Sequence, residues 1–307
     1  MTGPAGAPPR RPAARAHADP ALRRLELTVL RRLDGLLQGD HAGIVPGPGT
    51  DLGDARPYAP GDDVRRIDWA LTARTNDPHV RDAIADRELE LVVVLDTSGS
   101  LAFGTGTVDK RTLARDVAGA FVLLAARGGN RVGALLSGEP PRWLRPAGGT
   151  AHAAALLSAM ARAPVAGGDF AAALRRVRRL ARRRGMVVAV SDFLGAPGWQ
   201  RELRALAARH DVIAVEVVDR RELTLPDVGY LTLVDAESGV RRVVDTRDGV
   251  VRARFAERQR RFRAGVARDV TRAGADHLRV HTDDDWVVAV ARFAARRRLR
   301  RTAAEAR

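Results

Sequence analysis

The stretch "LELVVVLDTSGSL", Leu89 to Leu101, decides the fold. Five consecutive apolar residues, Leu91–Leu95, three of them valines, are too few for a membrane span and have the β-branched character of a strand buried on both faces. The run ends on Asp96, and Ser98 and Ser100 follow where a helix should start. The spacing D-x-S-x-S sets three oxygen-bearing side chains on one tight turn. Hard cations such as Mg²⁺ take oxygen ligands in near-octahedral geometry and keep several waters, which such a turn can accommodate. Helix capping explains the same residues without a metal, because Asp and Ser satisfy orphan N–H groups at helix starts.

Working outward, similar short runs recur at 131–136, 186–190 and 212–218, with helical periodicity between them at 109–126, 151–162, 169–184 and 199–209. This alternation predicts an α/β fold: a doubly wound, mostly parallel sheet with helices on both faces. A hairpin is expected over 230–245, with "ESG" as its turn, then a helix over 249–273, a strand at "HLRVH" and a helix over 285–299. Residues 38–87 carry many Gly, Pro and Asp and read as loop-rich. Residues 21–37 form a basic amphipathic helix through Leu22, Leu25, Val29, Leu33 and Leu36, expected to pack on the parent domain. The predicted organisation is a disordered tail 1–19, an N-terminal extension 20–87, a main domain 88–300 and a tail 301–307.

Composition narrows the function classes. With no Cys, thiol catalysis, disulfides and Cys-based metal centres are excluded. Net charge is +15, carried by arginine except at Lys110, the only lysine. Such a charge attracts polyanions without specificity. The Arg-rich helix around 170–182 has an apolar stripe of Phe170, Leu174, Val177 and Leu180, so its arginines read as a solvated face. Neither a secretory signal nor an apolar run near membrane-span length is present, which predicts a cytoplasmic protein.

"GMVVAVSDF" ends a second buried strand on Ser191 and Asp192. If its strand neighbours that of Asp96, two carboxylates converge with two serines, and the pair needs a cation or a proton. The second carboxylate favours the cation.

The strand ending in "DTSGS" before a helix, with "SDF" ending a later strand, resembles the von Willebrand factor A domain and its metal-ion-dependent adhesion site. Upstream, "ARPYAPGDDVRRIDWALTARTNDPHVRD", residues 55–82, resembles the hallmark segment of the bacterial family called domain of unknown function 58. The resemblance covers about residues 20–300. It implies Mg²⁺ or Mn²⁺ held by Asp96, Ser98, Ser100 and Asp192. A third hydroxyl ligand, normally Thr, is replaced by Gly168, which leaves Asp169 as the nearest donor and Thr150 one helix too early. Asp169 also suits the N-cap of the following helix. The resemblance further implies a partner, a MoxR-type AAA+ ATPase, with this chain as a non-enzymatic adaptor in chaperone-like assembly. An acidic side chain of the partner would complete the ion's coordination. Many members carry N-terminal transmembrane helices, whereas this sequence has none.

Within the hallmark segment, Trp69 and Ile67 are expected to anchor the loop by burial. Asp62, Asp63, Arg65, Arg66 and Asp68 are expected to form an ion-pair network or a partner surface, and Arg74 or Asp68 is expected to reach Asp96. Two other classes stay open: polyanion binding through the arginine faces, and a metal-dependent hydrolase. The hydrolase lacks support from a G-x-S-x-G elbow or a phosphate-binding glycine loop, and the histidines are scattered.

Overall fold

The computed structural model describes residues 28, 32, 52–60, 62, 64, 67–83, 89–165, 167–234 and 239–305. Its centre is a six-stranded sheet of β3 (Glu90–Leu95), β4 (Arg131–Leu136), β5 (Arg142–Ala147), β6 (Gly185–Ser191), β7 (Asp211–Val218) and β10 (Asp276–His281), in the order β10-β7-β6-β3-β4-β5. All neighbours pair in parallel except β4 and β5. The expected α/β architecture is what the chain adopts.

The residues of β3 show why. Along β3 successive side chains point to opposite faces, so Leu91, Val93 and Leu95 enter one apolar layer and Val92 and Val94 the other. On the first face lie α2 (Lys110–Arg127), α3 (Thr150–Ala161) and α7 (Trp286–Glu305), numbered after α1 (Trp69–Thr75) of the N-terminal segment. On the second lie α4 (Phe170–Leu180), α5 (Trp199–Ala207) and α6 (Gly249–Arg272). A strand covered twice must be apolar at every position, and this one is.

Several expectations need correction. The segment read as loop-rich holds an antiparallel pair, β1 (Leu52–Pro57) with β2 (His79–Ala83), and α1. β5 went unforeseen because an edge strand tolerates Arg142, Arg145 and Pro146. α7 runs on to Glu305, past the expected boundary at 300. Leu180 does not complete the stripe of α4, since it lies in the last turn and is 39% exposed. The arginines of that helix are not merely solvated, because Arg175 and Arg178 pair with the buried Glu202 of α5. The expected hairpin forms as β8 (Tyr230–Val234) with β9 (Arg241–Asp245), although most of its "ESG" turn lies outside the described residues. The tail 1–19 and, apart from Thr28 and Arg32, the helix 21–37 also lie outside them.

Candidate functional site

Parallel register brings the site together. Leu95 lies opposite Leu136 on one side and Val190 on the other. The next residue of each strand is therefore polar and sits at the same carboxyl edge: Asp96, Ser137 and Ser191. In open parallel sheets this edge is where ligands gather.

Asp96 is 4% exposed. Its Oδ1 accepts from Ser98 N–H at 3.0 Å and from Ser137 Oγ at 3.2 Å, and its Oδ2 accepts from Ser191 Oγ at 2.6 Å. All three donors are neutral. Burial, and next the nearby Asp192 charge, push the Asp96 carboxyl above the ordinary aspartate range, against the pull of its hydrogen bonds. Ser98 Oγ and Ser100 Oγ lie 3.1 Å apart on the following turn. A small cavity of about 10 Å³, room for about one water, is lined by Asp96, Thr97, Ser98 and Val165 and also by Arg111 and Arg115. The hydroxyl of Thr97 is buried and has no partner among the described residues.

Asp192 is also sealed, yet it faces a cation of the chain itself. Lys110 Nζ lies 2.8 Å from Asp192 Oδ2 and 2.5 Å from Glu222 Oε1, with no exposure of the lysine. The other oxygen of Asp192 accepts from Leu194 N–H at 3.0 Å. Between these residues Phe193 takes a left-handed φ of 58°, rare for a bulky residue. Packing holds it there: its ring meets Trp199 at 4.7 Å and Phe170 at 5.8 Å. The charge chain continues, because Arg263 Nη1 donates to the carbonyl of Asp192 at 2.9 Å and lies 3.1 Å from Glu216. Glu216 in turn receives His277 at 2.8 Å and Arg279 at 2.7 Å.

The structure separates the remaining sequence-derived candidates. Asp169 caps α4, accepting from Ala172 N–H at 3.1 Å. Gly168 is fixed by space: a Cβ there would stand 2.1 Å from the carbonyl oxygen of Ser137. No Thr fits without moving the end of β4. Among the described residues, no three His, Cys, Asp or Glu side chains converge as a metal site, so a cation at this edge would rely on hydroxyls and water. Trp69 does not anchor by burial, being 70% exposed on the first turn of α1, which meets β2 through Thr72 Oγ1 accepting from His79 N–H. Ile67 is half-buried and bridges Val80. Asp68 turns its carboxylate onto Leu71 N–H, Asp62 accepts from Ala59 N–H, and Arg74 is exposed. Neither Asp68 nor Arg74 is a partner of Asp96, whose donors are Ser98, Ser137 and Ser191. Asp63, Arg65 and Arg66 lie outside the described residues.

Sequence reasoning passed over Ser137, Lys110, Glu222 and Arg263. For Lys110 one signal was present: a lone lysine in a chain that otherwise uses arginine.

A doubly wound α/β domain with a D-x-S-x-S turn at its carboxyl edge defines a von Willebrand factor A-like protein. The pattern of the family described as "Protein of unknown function DUF58" matches residues 54–265, and the chain belongs to that family. It is 51% identical over 283 residues to "Uncharacterized protein Rv1480" of Mycobacterium tuberculosis, covering 91% of this chain and 89% of the relative. The same identity and coverage hold for "Uncharacterized protein Mb1516" of Mycobacterium bovis. Among solved structures it is similar to the conserved hypothetical protein BatB from Bacteroides thetaiotaomicron, with TM-score 0.45, 13% identity and coverage of 68% and 98% of the two chains. It is also similar to the SpRpn10 VWA domain, with TM-score 0.38, 13% identity and coverage of 66% and 93%.

Proposed function

We propose that this chain is a non-enzymatic protein-interaction module that holds Mg²⁺ or Mn²⁺ at its carboxyl edge and serves as adaptor to a MoxR-type AAA+ ATPase. The observation that carries the reading is Asp96: a buried carboxylate with three neutral donors and no cationic partner among the described residues. A buried charge is expensive unless compensated, and the nearby ammonium of Lys110 is already shared by Asp192 and Glu222. Ser98 and the hydroxyl of Thr97, unpartnered among the described residues, line the cavity with further oxygen donors, and Ser100 Oγ lies 3.1 Å from Ser98 Oγ.

In this reading Asp96, Ser98 and Ser100 hold the ion, Ser137 and Ser191 orient Asp96, and a carboxylate of the partner completes the coordination. Asp192 acts through its charge and through Lys110 rather than as a direct ligand. Absence of a nucleophile–base pair from the D-x-S-x-S turn supports a binding role over a hydrolytic one.

The test is calorimetry with Mg²⁺ and Mn²⁺ on the wild type and on Asp96→Asn, which keeps the shape and removes the charge. Saturable binding lost in the variant is expected, as is chelator-sensitive association with the ATPase. Equal binding by both proteins, or association indifferent to chelator, overturns the metal-dependent reading. Association lost steeply with salt but untouched by chelator instead establishes polyanion-type binding through the arginine faces.

A further inference from the structure

The outer strand of the main sheet, β10, has β7 on one side and no described strand on the other. A strand edge of this kind carries a row of unpaired N–H and C=O groups and is a template for another polypeptide. Here the edge lies in a groove of about 390 Å³ lined by Ala267 of α6, His277, Leu278 and Arg279 of β10, and Ala289, Arg292 and Arg296 of α7.

The walls suit an added backbone. Ala267 and Ala289 are short, which leaves room for a chain at the ~4.8 Å spacing of paired strands. Ala289, Arg292 and Arg296 follow one another at helical spacing on the stripe of α7 beside its buried face of Val287, Val290, Phe293 and Ala294.

Charge selects the occupant. Acidic groups beside the edge are engaged: Glu216 by Arg263, His277 and Arg279, Asp276 by Arg297, Asp283 and Asp284 by Arg220, Asp285 by Arg32, and Asp269 by the amide of Gln200. Arg292 and Arg296 are exposed and without an ion-pair partner among the described residues, so the groove presents surplus positive charge. A second copy of this chain, paired edge to edge, would bring two such arginine pairs together. Residues 1–50 of the chain itself carry seven Arg against four Asp and Glu, which also mismatches.

We propose that the β10 edge is a docking site for an acidic segment of a partner protein, bound in extended conformation as an added strand, with Arg292 and Arg296 reading its carboxylates. The backbone pairing supplies affinity and the arginines supply selectivity. This site is separate from the Asp96 edge and does not depend on a metal.

The test uses a fluorescein-labelled, six-residue peptide of alternating Glu and Val, matched to the six residues of β10, read by anisotropy. A second peptide carries Pro at its centre, which removes a ladder donor. Expected are saturable binding with Kd below about 1 mM, a loss of at least about tenfold for Arg292→Glu/Arg296→Glu, and a similar loss for the Pro peptide. Amide exchange should slow at the outward-facing N–H groups of β10 when peptide is bound. Circular dichroism of the double variant should match the wild type, because both arginines are exposed. Equal binding by the Pro peptide means charge attraction alone and overturns the proposal, as does equal binding by the double variant or none at all. Displacement of the peptide by tighter-binding oligothymidylate assigns the groove to nucleic acid instead. Wild-type dimers dispersed by the double variant, with no peptide bound, assign it to a second copy.

Discussion

Lys110 places its ammonium 2.8 Å from the carboxylate of Asp192, and neither side chain has any solvent exposure. The same nitrogen reaches Glu222, so one cation joins the first turn of α2, the end of β6 and the short turn after β7. Lys110 thereby answers part of the question posed by two converging carboxylates. Asp192 is compensated by a cation of the chain itself, whereas the donors to Asp96 are all neutral.

Removing that cation should be severe. Lys110→Met keeps the length and apolar stem but leaves the buried Asp192 carboxylate without its cation and Glu222 with Arg263 alone at 3.3 Å, which favours proton uptake by one of the two. Breaking a buried pair by deleting one partner costs about 3–5 kcal/mol, and urea denaturation should show a loss of this size. Lys110→Arg should rescue poorly, since the planar guanidinium does not fit a space shaped for an ammonium. Adding Asp192→Asn and Glu222→Gln to Lys110→Met should recover a large share of the loss. A Lys110→Met protein as stable as wild type would show that the pair contributes nothing net.

Gly168 offers a sharper steric test. A methyl group there meets the Ser137 carbonyl at 2.1 Å, whereas at Gly167 it meets nothing within 4 Å. Overpacking of this kind costs about 1–3 kcal/mol, and a change on an open surface stays within about 0.5 kcal/mol. Thermal unfolding of Gly168→Ala and Gly167→Ala should therefore separate two neighbours of identical chemistry. Since Ser137 Oγ orients Asp96, Gly168→Ala should also weaken any cation binding at that edge. Equal stability of the two variants would mean that Gly168 moves away from the Ser137 carbonyl at little cost.

The sheet was legible because its strands are covered twice: Leu91–Leu95 has no polar position to confuse it with a surface element. β5 was hidden for the converse reason, as an edge strand with two arginines and a proline has lost the apolar signature. At the site, Asp96, Ser98, Ser191 and Asp192 could be placed on one edge because strand ends and parallel order suffice for that. What holds Asp192 could not be read, since Lys110, Glu222 and Arg263 come from elements far apart in sequence and meet only through tertiary packing. Gly168 stood out as a missing hydroxyl, but its cause is a backbone contact with β4 that no local pattern encodes.

Trp69 belongs to the most distinctive stretch of the sequence, yet it is 70% exposed, and Val64 of the same stretch is 59% exposed. An exposed Trp adds little to the fold, so Trp69→Ala should keep its unfolding midpoint, with a change within about 0.5 kcal/mol. Large exposed aromatics are the residues that anchor interfaces. Association with the proposed ATPase partner, measured by surface plasmon resonance, should fall at least about tenfold in the variant. A lowered midpoint would return Trp69 to a packing role, and undiminished association would remove it from the contact surface.

Glu216 gives the pH dependence. Its side chain has no solvent exposure, with Arg279 at 2.7 Å, His277 at 2.8 Å and Arg263 at 3.1 Å. Burial alone would raise its carboxyl, but the hydrogen bonds from His277 and Arg279 and the charges of Arg279 and Arg263 outweigh it. The net shift is to below the ordinary glutamate range. The folded protein therefore holds this proton less tightly than the unfolded chain. The resulting stability is fully present above the ordinary glutamate range and is lost as pH falls toward the folded value. Urea midpoints followed from neutral pH into acid should decline across that interval. Glu216→Gln should start lower, by about 3–5 kcal/mol, because it leaves Arg263 and Arg279 facing a neutral amide. It should then lose less stability on acidification than the wild type. Parallel acid limbs in the two proteins would place the acid sensitivity elsewhere in the chain.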